Sequence, residues 1–272
     1  MRSEALDFGI NRQRYADGFS AFDGGIYLAV HERDLNNHLL WQKYLHLGTY
    51  DSFITFAHEG FHMIVQPNWP TMENRPNPER NEFLENTHAR AKRALLQEQL
   101  LMAVSEPGNT QLILEALSTY ASWKAEFPEE YENSIDTDRT EGTAYYFELV
   151  TALYSGYPEQ IKNVDDLDNA LALLATRNDI YVWHGLVSES YIIGGFSGVL
   201  LDRHMDGWKE QLANDPYATP IEMLYQHFIS EVPPPPQQLT QADIDAIGEK
   251  IRENEQSRDL SRLFRFLYDL LF

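Results

Sequence analysis

Apolar residues recur at helical spacing along most of the chain, which predicts a mainly helical fold. The stretch 51–66 is apolar on most of its surface, can be capped by Asp51 or Ser52, and ends before Pro67. Similar patterns, closed by proline or glycine, predict helices over 79–104, 109–127, 135–154, 164–176, 183–203 and 221–230. A weakly alternating stretch at 25–32 predicts a strand, so we expect mainly α structure with a small N-terminal β region.

A proline-rich run from Val232 to Pro236 interrupts the helical pattern. Consecutive prolines hold the backbone in an extended polyproline conformation, so the run predicts a stiff boundary. We expect residues 1–231 to form one unit and residues 237–272 to form C-terminal helices packed on it. Thr240 can cap the first of these helices, and an apolar stripe at helical spacing follows at Leu260, Leu263, Phe264, Leu267 and Leu271.

Charge and composition narrow the classes of partner. The formal net charge of −21 argues against nucleic acid, whose phosphates would be repelled. No stretch approaches the 18 or more apolar residues of a membrane span, and the N-terminal residues do not resemble a signal peptide. The chain has no cysteine, so a metal would be bound by His, Asp or Glu. This composition fits the cytoplasm and equally an exported bacterial protein whose signal has been removed, so the compartment stays open.

The stretch His58-Glu59-Gly60-Phe61-His62 is an HExxH motif, the paired-histidine signature of zinc hydrolases. On a helix the two histidines lie one turn apart on the same face, so both imidazoles can bind one metal ion. Glu59 lies to the side, where it can reach a water molecule held by the metal. The helix is apolar around the motif, and two buried histidines need polar partners, which metal binding would supply.

A hydrolytic zinc site usually has three protein ligands. No third histidine continues the motif as HExxHxxGxxH, so the third ligand is expected to be an acidic residue on a second helix. The stretch Thr140-Glu141-Gly142-Thr143-Ala144-Tyr145-Tyr146-Phe147-Glu148 resembles the EGxAxYFE segment of gluzincins of the aminopeptidase N type. That resemblance implies Glu141 as the third zinc ligand. The glycine and small residue after it allow two helices to approach closely.

A third stretch resembles the same family. Tyr191-Ile192-Ile193-Gly194 matches the Tyr-x-x-Gly segment in which the tyrosine hydroxyl stabilises the oxyanion of the reaction. The resemblance therefore implies Tyr191 as a catalytic residue and a zincin-like core with helical additions. The three motifs cover about a tenth of the chain, and the Gly-Ala-Met-Glu-Asn exopeptidase motif is absent upstream.

These motifs predict a bacterial zinc metallopeptidase of gluzincin type, acting on a peptide or protein substrate. His58, His62 and Glu141 would bind Zn²⁺, Glu59 would act as general base, and Tyr191 would stabilise the oxyanion. His184 is a second candidate for the oxyanion role. Asp138 and Glu148, one or two turns from Glu141, are candidates to accept a hydrogen bond from a ligand histidine. These two residues lie on the predicted helix 135–154.

Two other interpretations remain open at this stage. Glu59-x-x-His62 and Glu85-x-x-His88 both have the Glu-x-x-His spacing of ferritin-like di-iron proteins, in which Glu115 or Glu141 could complete the set. This interpretation leaves His58 without a role. The other interpretation is a non-catalytic metal-binding relative. A metal analysis separates the peptidase from the di-iron protein, because a peptidase binds one zinc ion and a di-iron protein binds two iron ions.

Overall fold

The computed structural model describes residues 18–22, 25–29, 51–72, 86–176, 186–231 and 234–253, and within these residues the chain is mainly helical. Two short strands, β1 (Gly18–Phe22) and β2 (Gly25–Ala29), pair antiparallel, with Gly18 opposite Ala29 and Phe22 opposite Gly25. The strand expected at 25–32 begins at the same residue as β2. Residues 30–32 lie outside the described part of the chain.

Nine helices carry the rest of the described fold. They are α1 (Asp51–Gly60), α2 (Thr87–Ser105), α3 (Thr110–Glu126), α4 (Pro128–Gly156), α5 (Val164–Ala175), α6 (Leu186–His204), α7 (Trp208–Asn214), α8 (Pro220–Phe228) and α9 (241–253). The core lies between them, and its largest fully buried apolar side chains include Trp123, Tyr120 and Phe196.

Local sequence accounts for several of the helix starts. The side chains of Asn86, Asn163 and Thr219 accept hydrogen bonds from backbone N–H groups in the first turns of α2, α5 and α8. Pro128 both ends α3 and begins α4, because proline cannot continue a helix but suits its first position. Helix α4 is therefore two turns longer than the predicted 135–154, and the short helix α7 was not predicted.

The segment that carries the HExxH motif is not one continuous α-helix, which corrects the prediction over 51–66. Helix α1 ends at Gly60, a π-helical turn follows at Phe61–Val65, and a 3₁₀ turn at Gln66–Asn68 completes the segment. The backbone N–H of Gln66 donates to the carbonyl of Phe61, five residues back. Pro67 has no N–H to continue the regular ladder, and π turns are common where a helix carries functional side chains.

Helices α4 and α6 cross at two glycines. A Cβ atom built on Gly142 would lie 2.6 Å from the Cα of Gly194, and one built on Gly194 would lie 2.4 Å from the Cα of Gly142. Real Cβ atoms do not approach backbone so closely, so only glycine fits both positions. The crossing places the turn that carries Glu141 next to the turn that carries Tyr191.

A buried group of charged side chains lies beside this crossing. It consists of Arg90 and Arg93 from α2, Glu130 and Asp138 from α4, and Glu189 from α6, and we call it the arginine cluster. Arg93 donates to both oxygens of Asp138 at 2.7 and 3.2 Å and to Glu189 at 2.8 Å, whereas Arg90 bonds Glu189 and Glu130. The cluster joins three helices.

Some predicted features lie outside the described residues. They include the apolar stripe beyond residue 253, residues 79–85 of the predicted helix 79–104, and His184. Thr240 does cap α9, since its side-chain oxygen accepts from the N–H of Asp243 at 3.3 Å. Among the helices that the structure describes, none is sufficiently long and apolar to cross a membrane.

Candidate metal centre

Two histidines four residues apart and a glutamate far along the chain converge at the end of α1. Nε2 of His58 lies 3.1 Å from Nε2 of His62 and 3.2 Å from Oε2 of Glu141, and Nε2 of His62 lies 3.3 Å from the same carboxylate oxygen. We call these three residues the ligand cluster. Within the described residues, it is the group of histidine and acidic side chains whose geometry could hold a metal ion.

Glu148 contacts Nδ1 of His58, the ring nitrogen that does not face the ligand cluster. It lies two turns after Glu141 on α4, is buried, and its Oε2 lies 3.1 Å from Nδ1 of His58. An ionised carboxylate can only accept, so Nδ1 carries the hydrogen and Nε2 faces the ligand cluster. Hydrogen bonds of this kind orient metal-bound histidines in many proteins. The contact expected for Glu148 is therefore present.

Gln66 holds the second histidine. Its side-chain oxygen lies 2.7 Å from Nδ1 of His62, and its nitrogen donates to the backbone oxygen of Thr140 at 2.8 Å and to Oγ1 of Thr143 at 3.1 Å. Sequence reasoning missed this residue. The available signal was its position one turn after His62, at the end of the same predicted helix.

The ligand cluster needs a positive charge. Burial favours neutral imidazoles, but hydrogen bonds to Glu141 and Glu148 outweigh burial and raise the pKa of His58 to about 9. Burial also opposes ionisation of Glu141, yet its bonds to His58 and His62 hold the pKa of this carboxyl well below its usual range. A proton on His58 can supply that charge. A divalent metal ion would supply it in the proton's place.

Tyr191 lies beside the ligand cluster. Its ring stacks on that of His58, with centroids 5.2 Å apart and planes inclined by 5°, and its hydroxyl hydrogen-bonds Glu141. Burial and the charge of Glu141 raise the pKa of this hydroxyl far above its usual range, so it remains a proton donor. Glu59 is half-buried next to His58, and its charge also raises the pKa of Tyr191.

Other candidate residues lie elsewhere. Asp138, expected as a possible partner of a ligand histidine, instead binds Arg93 in the arginine cluster. His88, part of the di-iron pattern, is paired with Glu126 at 3.2 Å, and its side chain is 40% exposed. Among the described residues it is therefore not part of the group that could hold a metal. Glu85, the other member of that pattern, lies outside the described residues.

Comparison with known proteins places the chain in no family. No protein-family model, no curated protein and no solved structure matches it.

Proposed function

We propose that this protein is a zinc-dependent peptidase of gluzincin type with a zincin-like core. The separations within the ligand cluster, 3.1, 3.2 and 3.3 Å, are the observation that carries the proposal. Nitrogen and oxygen ligands at about 2.0–2.2 Å from a tetrahedral zinc ion would lie about 3.3 Å from each other. Two histidines and one glutamate are also the ligand set of a hydrolytic zinc site, which leaves a fourth position for water or substrate.

The chain's own residues would divide the work as follows. Bound zinc would supply Lewis acidity, polarising the scissile carbonyl and lowering the pKa of a water molecule to about 7. Glu59 would take a proton from the attacking water and deliver it to the leaving amine. Glu148 and Gln66 would hold the two imidazoles in place.

Tyr191 would stabilise the oxyanion. Its hydroxyl already lies at the ligand cluster, and its raised pKa keeps the proton that it would donate as negative charge develops. A donor of this kind contributes about 2.7–4 kcal/mol of barrier reduction when it is placed correctly. Loss of that donor should reduce turnover without releasing the metal.

The test combines metal analysis with cleavage of a peptide library. We expect one zinc ion per chain, and we expect Glu59→Gln to keep the zinc and lose at least 100-fold in turnover, because general-base catalysis typically contributes about 10²–10⁴-fold. Glu129→Gln is the matched control, since Glu129 is an exposed glutamate at the start of α4. It should leave zinc content and turnover unchanged.

Three outcomes would contradict the proposal. Full turnover in Glu59→Gln would remove this residue from the mechanism. Zinc binding without cleavage of any peptide would favour a non-catalytic metal-binding protein. Two iron ions per chain in place of one zinc ion would favour the di-iron interpretation.

A further inference from the structure

Gln66 connects His62 to the helix that carries Glu141 through one side chain. It follows His62 by four residues, and its nitrogen donates to the backbone oxygen of Thr140, the residue directly before Glu141. The amide therefore joins the end of the π turn to α4 at the point where the third ligand projects. The bond between Glu148 and His58 also joins α1 to α4, but it joins one side chain to another side chain.

The orientation of this amide follows from its surroundings. The carbonyl of Thr140 can only accept, and the hydroxyl of Thr143 donates to the carbonyl of Arg139 at 2.6 Å, so it also accepts from Gln66. The nitrogen of Gln66 must therefore face these two oxygens, and its oxygen must face Nδ1 of His62. Nδ1 then carries the hydrogen, and the lone pair of Nε2 faces the ligand cluster.

We propose that Gln66 is a positioning residue that fixes the tautomer of His62 and ties it to the helix of Glu141. This inference rests on the proposed metal site and deepens it. The π turn supports the inference, because Gln66 caps the end of that turn and begins the 3₁₀ turn that contains Pro67. A neutral amide orients the imidazole without adding a charge to a site that already contains Glu141 and Glu148.

The experiment uses zinc titration and ¹⁵N NMR of the imidazoles in three variants of the full chain. Gln66→Met has similar length but no hydrogen bonds, and it should weaken zinc binding by about 10- to 100-fold, as loss of a histidine's supporting partner does in other sites. Gln66→Glu keeps an acceptor for His62 but loses the donor to Thr140, so it should keep the Nδ1–H tautomer. Asn68→Ala is the matched control, because Asn68 is an exposed amide that bonds only the carbonyls of Ile64 and Val65.

The NMR measurement distinguishes positioning from a general loss of structure. In wild type, Gln66→Glu and Asn68→Ala, His62 should show a protonated Nδ1, both with zinc and without metal at a pH where the imidazoles are neutral. In Gln66→Met this preference should disappear while the rest of the spectrum remains that of a folded protein. Unchanged zinc affinity and an unchanged tautomer in Gln66→Met would overturn the inference.

The same data separate this inference from the proposed function. A protein that binds zinc but cleaves no peptide contradicts the peptidase proposal, while the effect of Gln66→Met on zinc affinity still tests Gln66. A protein that binds no zinc contradicts the proposed metal site, and the tautomer of His62 in the metal-free protein still decides the part played by Gln66.

Discussion

Two polar clusters share helix α4, and they obtain their positive charge in different ways. The arginine cluster pairs Asp138 of α4 and Glu189 of α6 with guanidinium groups that are always charged. The ligand cluster pairs Glu141, one turn after Asp138, with two imidazoles whose charge depends on pH. Burying a carboxylate requires a cation in both places.

The difference indicates which cluster holds the fold together and which one can exchange its cation. Guanidinium groups cannot lose a proton at any ordinary pH, so the arginine cluster keeps the same charges throughout. Imidazoles can give up a proton when they bind a metal ion, so the proposed metal site would exchange a proton for a metal ion. Four predictions test this contrast, from the largest expected effect to the smallest.

Removing the guanidinium group of Arg93 should have the largest effect on stability. Arg93→Met leaves Asp138 and Glu189 without this partner and also removes the contact of the guanidinium with the ring of Trp123, 4.8 Å away. Breaking a buried ion pair from one side typically costs about 3–5 kcal/mol, so the free energy of unfolding should fall by this amount in urea titrations.

Lys92→Met is the matched control for Arg93→Met. Lys92 is the preceding residue and pairs with Glu126, whose side chain is 42% exposed. Exposed ion pairs contribute about 0–1 kcal/mol, so this variant should unfold close to wild type. Equal losses in the two variants would mean that burial of the arginine cluster has no special importance.

Because the charge of His58 depends on pH, the stability of the metal-free protein should also depend on pH. The pKa of His58 rises from 6.5 to about 9 on folding, so its contribution to stability is complete below pH 6.5 and is lost as the pH rises to about 9. A shift of this size corresponds to an upper limit of roughly 3 kcal/mol. Urea unfolding in the presence of a chelator, at pH 6 and at pH 9.5, measures the loss.

His58→Gln should flatten this part of the pH profile, because a carboxamide does not titrate. The depressed pKa of Glu141 acts at the acidic end of the pH range. The contribution of this carboxylate to stability is present above the carboxyl's ordinary pKa and is lost as the pH falls further. A decline between pH 6.5 and 9 that persists in His58→Gln would assign the effect to other groups.

Zinc should stabilise the protein at pH 7.5 by replacing the proton. At a free zinc concentration 100 times the dissociation constant, a ligand that binds only the folded state adds about 2.7 kcal/mol to the free energy of unfolding. Thermal and urea unfolding with and without chelator measure the gain. Glu141→Gln should lose most of this gain in stability, whereas Lys92→Met should keep it. A gain in Glu141→Gln equal to that of wild type would remove this residue from the proposed metal site.

Sequence reasoning located the parts of the site that depend on local spacing. The pair His58 and His62 is defined by a spacing of four residues, and Glu141 was reached through a short motif with small residues after it. The structure brings these three side chains together. The same local logic predicted the starts or ends of several helices within a few residues, because caps, prolines and glycines act over one turn.

The parts that depend on which helices meet were not predictable in this way. Gln66 acquires its role only when α4 brings the carbonyl of Thr140 within 2.8 Å. Arg93 reads in sequence as an ordinary charged helix residue, and only the fold shows that it is completely buried between two acidic partners. A helical pattern predicts which face of a helix is buried, but it does not identify the helix that packs against that face.

The glycine crossing between the two clusters provides the smallest predicted effect and the most direct test of their separation. In Gly194→Ala the new methyl group meets the backbone of Gly142 at 2.4 Å and of Asp138 at 2.7 Å, so α4 and α6 must move apart. Such overpacking typically costs about 1–3 kcal/mol. It should also lower turnover, because Tyr191 would move relative to Glu141.

Gly195→Ala is the control at the neighbouring position. Its methyl group meets Cδ1 of the Tyr145 ring at 2.6 Å, and a side chain can turn aside more easily than backbone. Gly194→Ala should therefore lose more stability and more turnover than Gly195→Ala, as measured by urea unfolding and peptide cleavage. If both variants lost stability equally but kept full turnover, the distance between α4 and α6 would matter for packing and not for the reaction. Tyr191 would then have no place in the proposed mechanism.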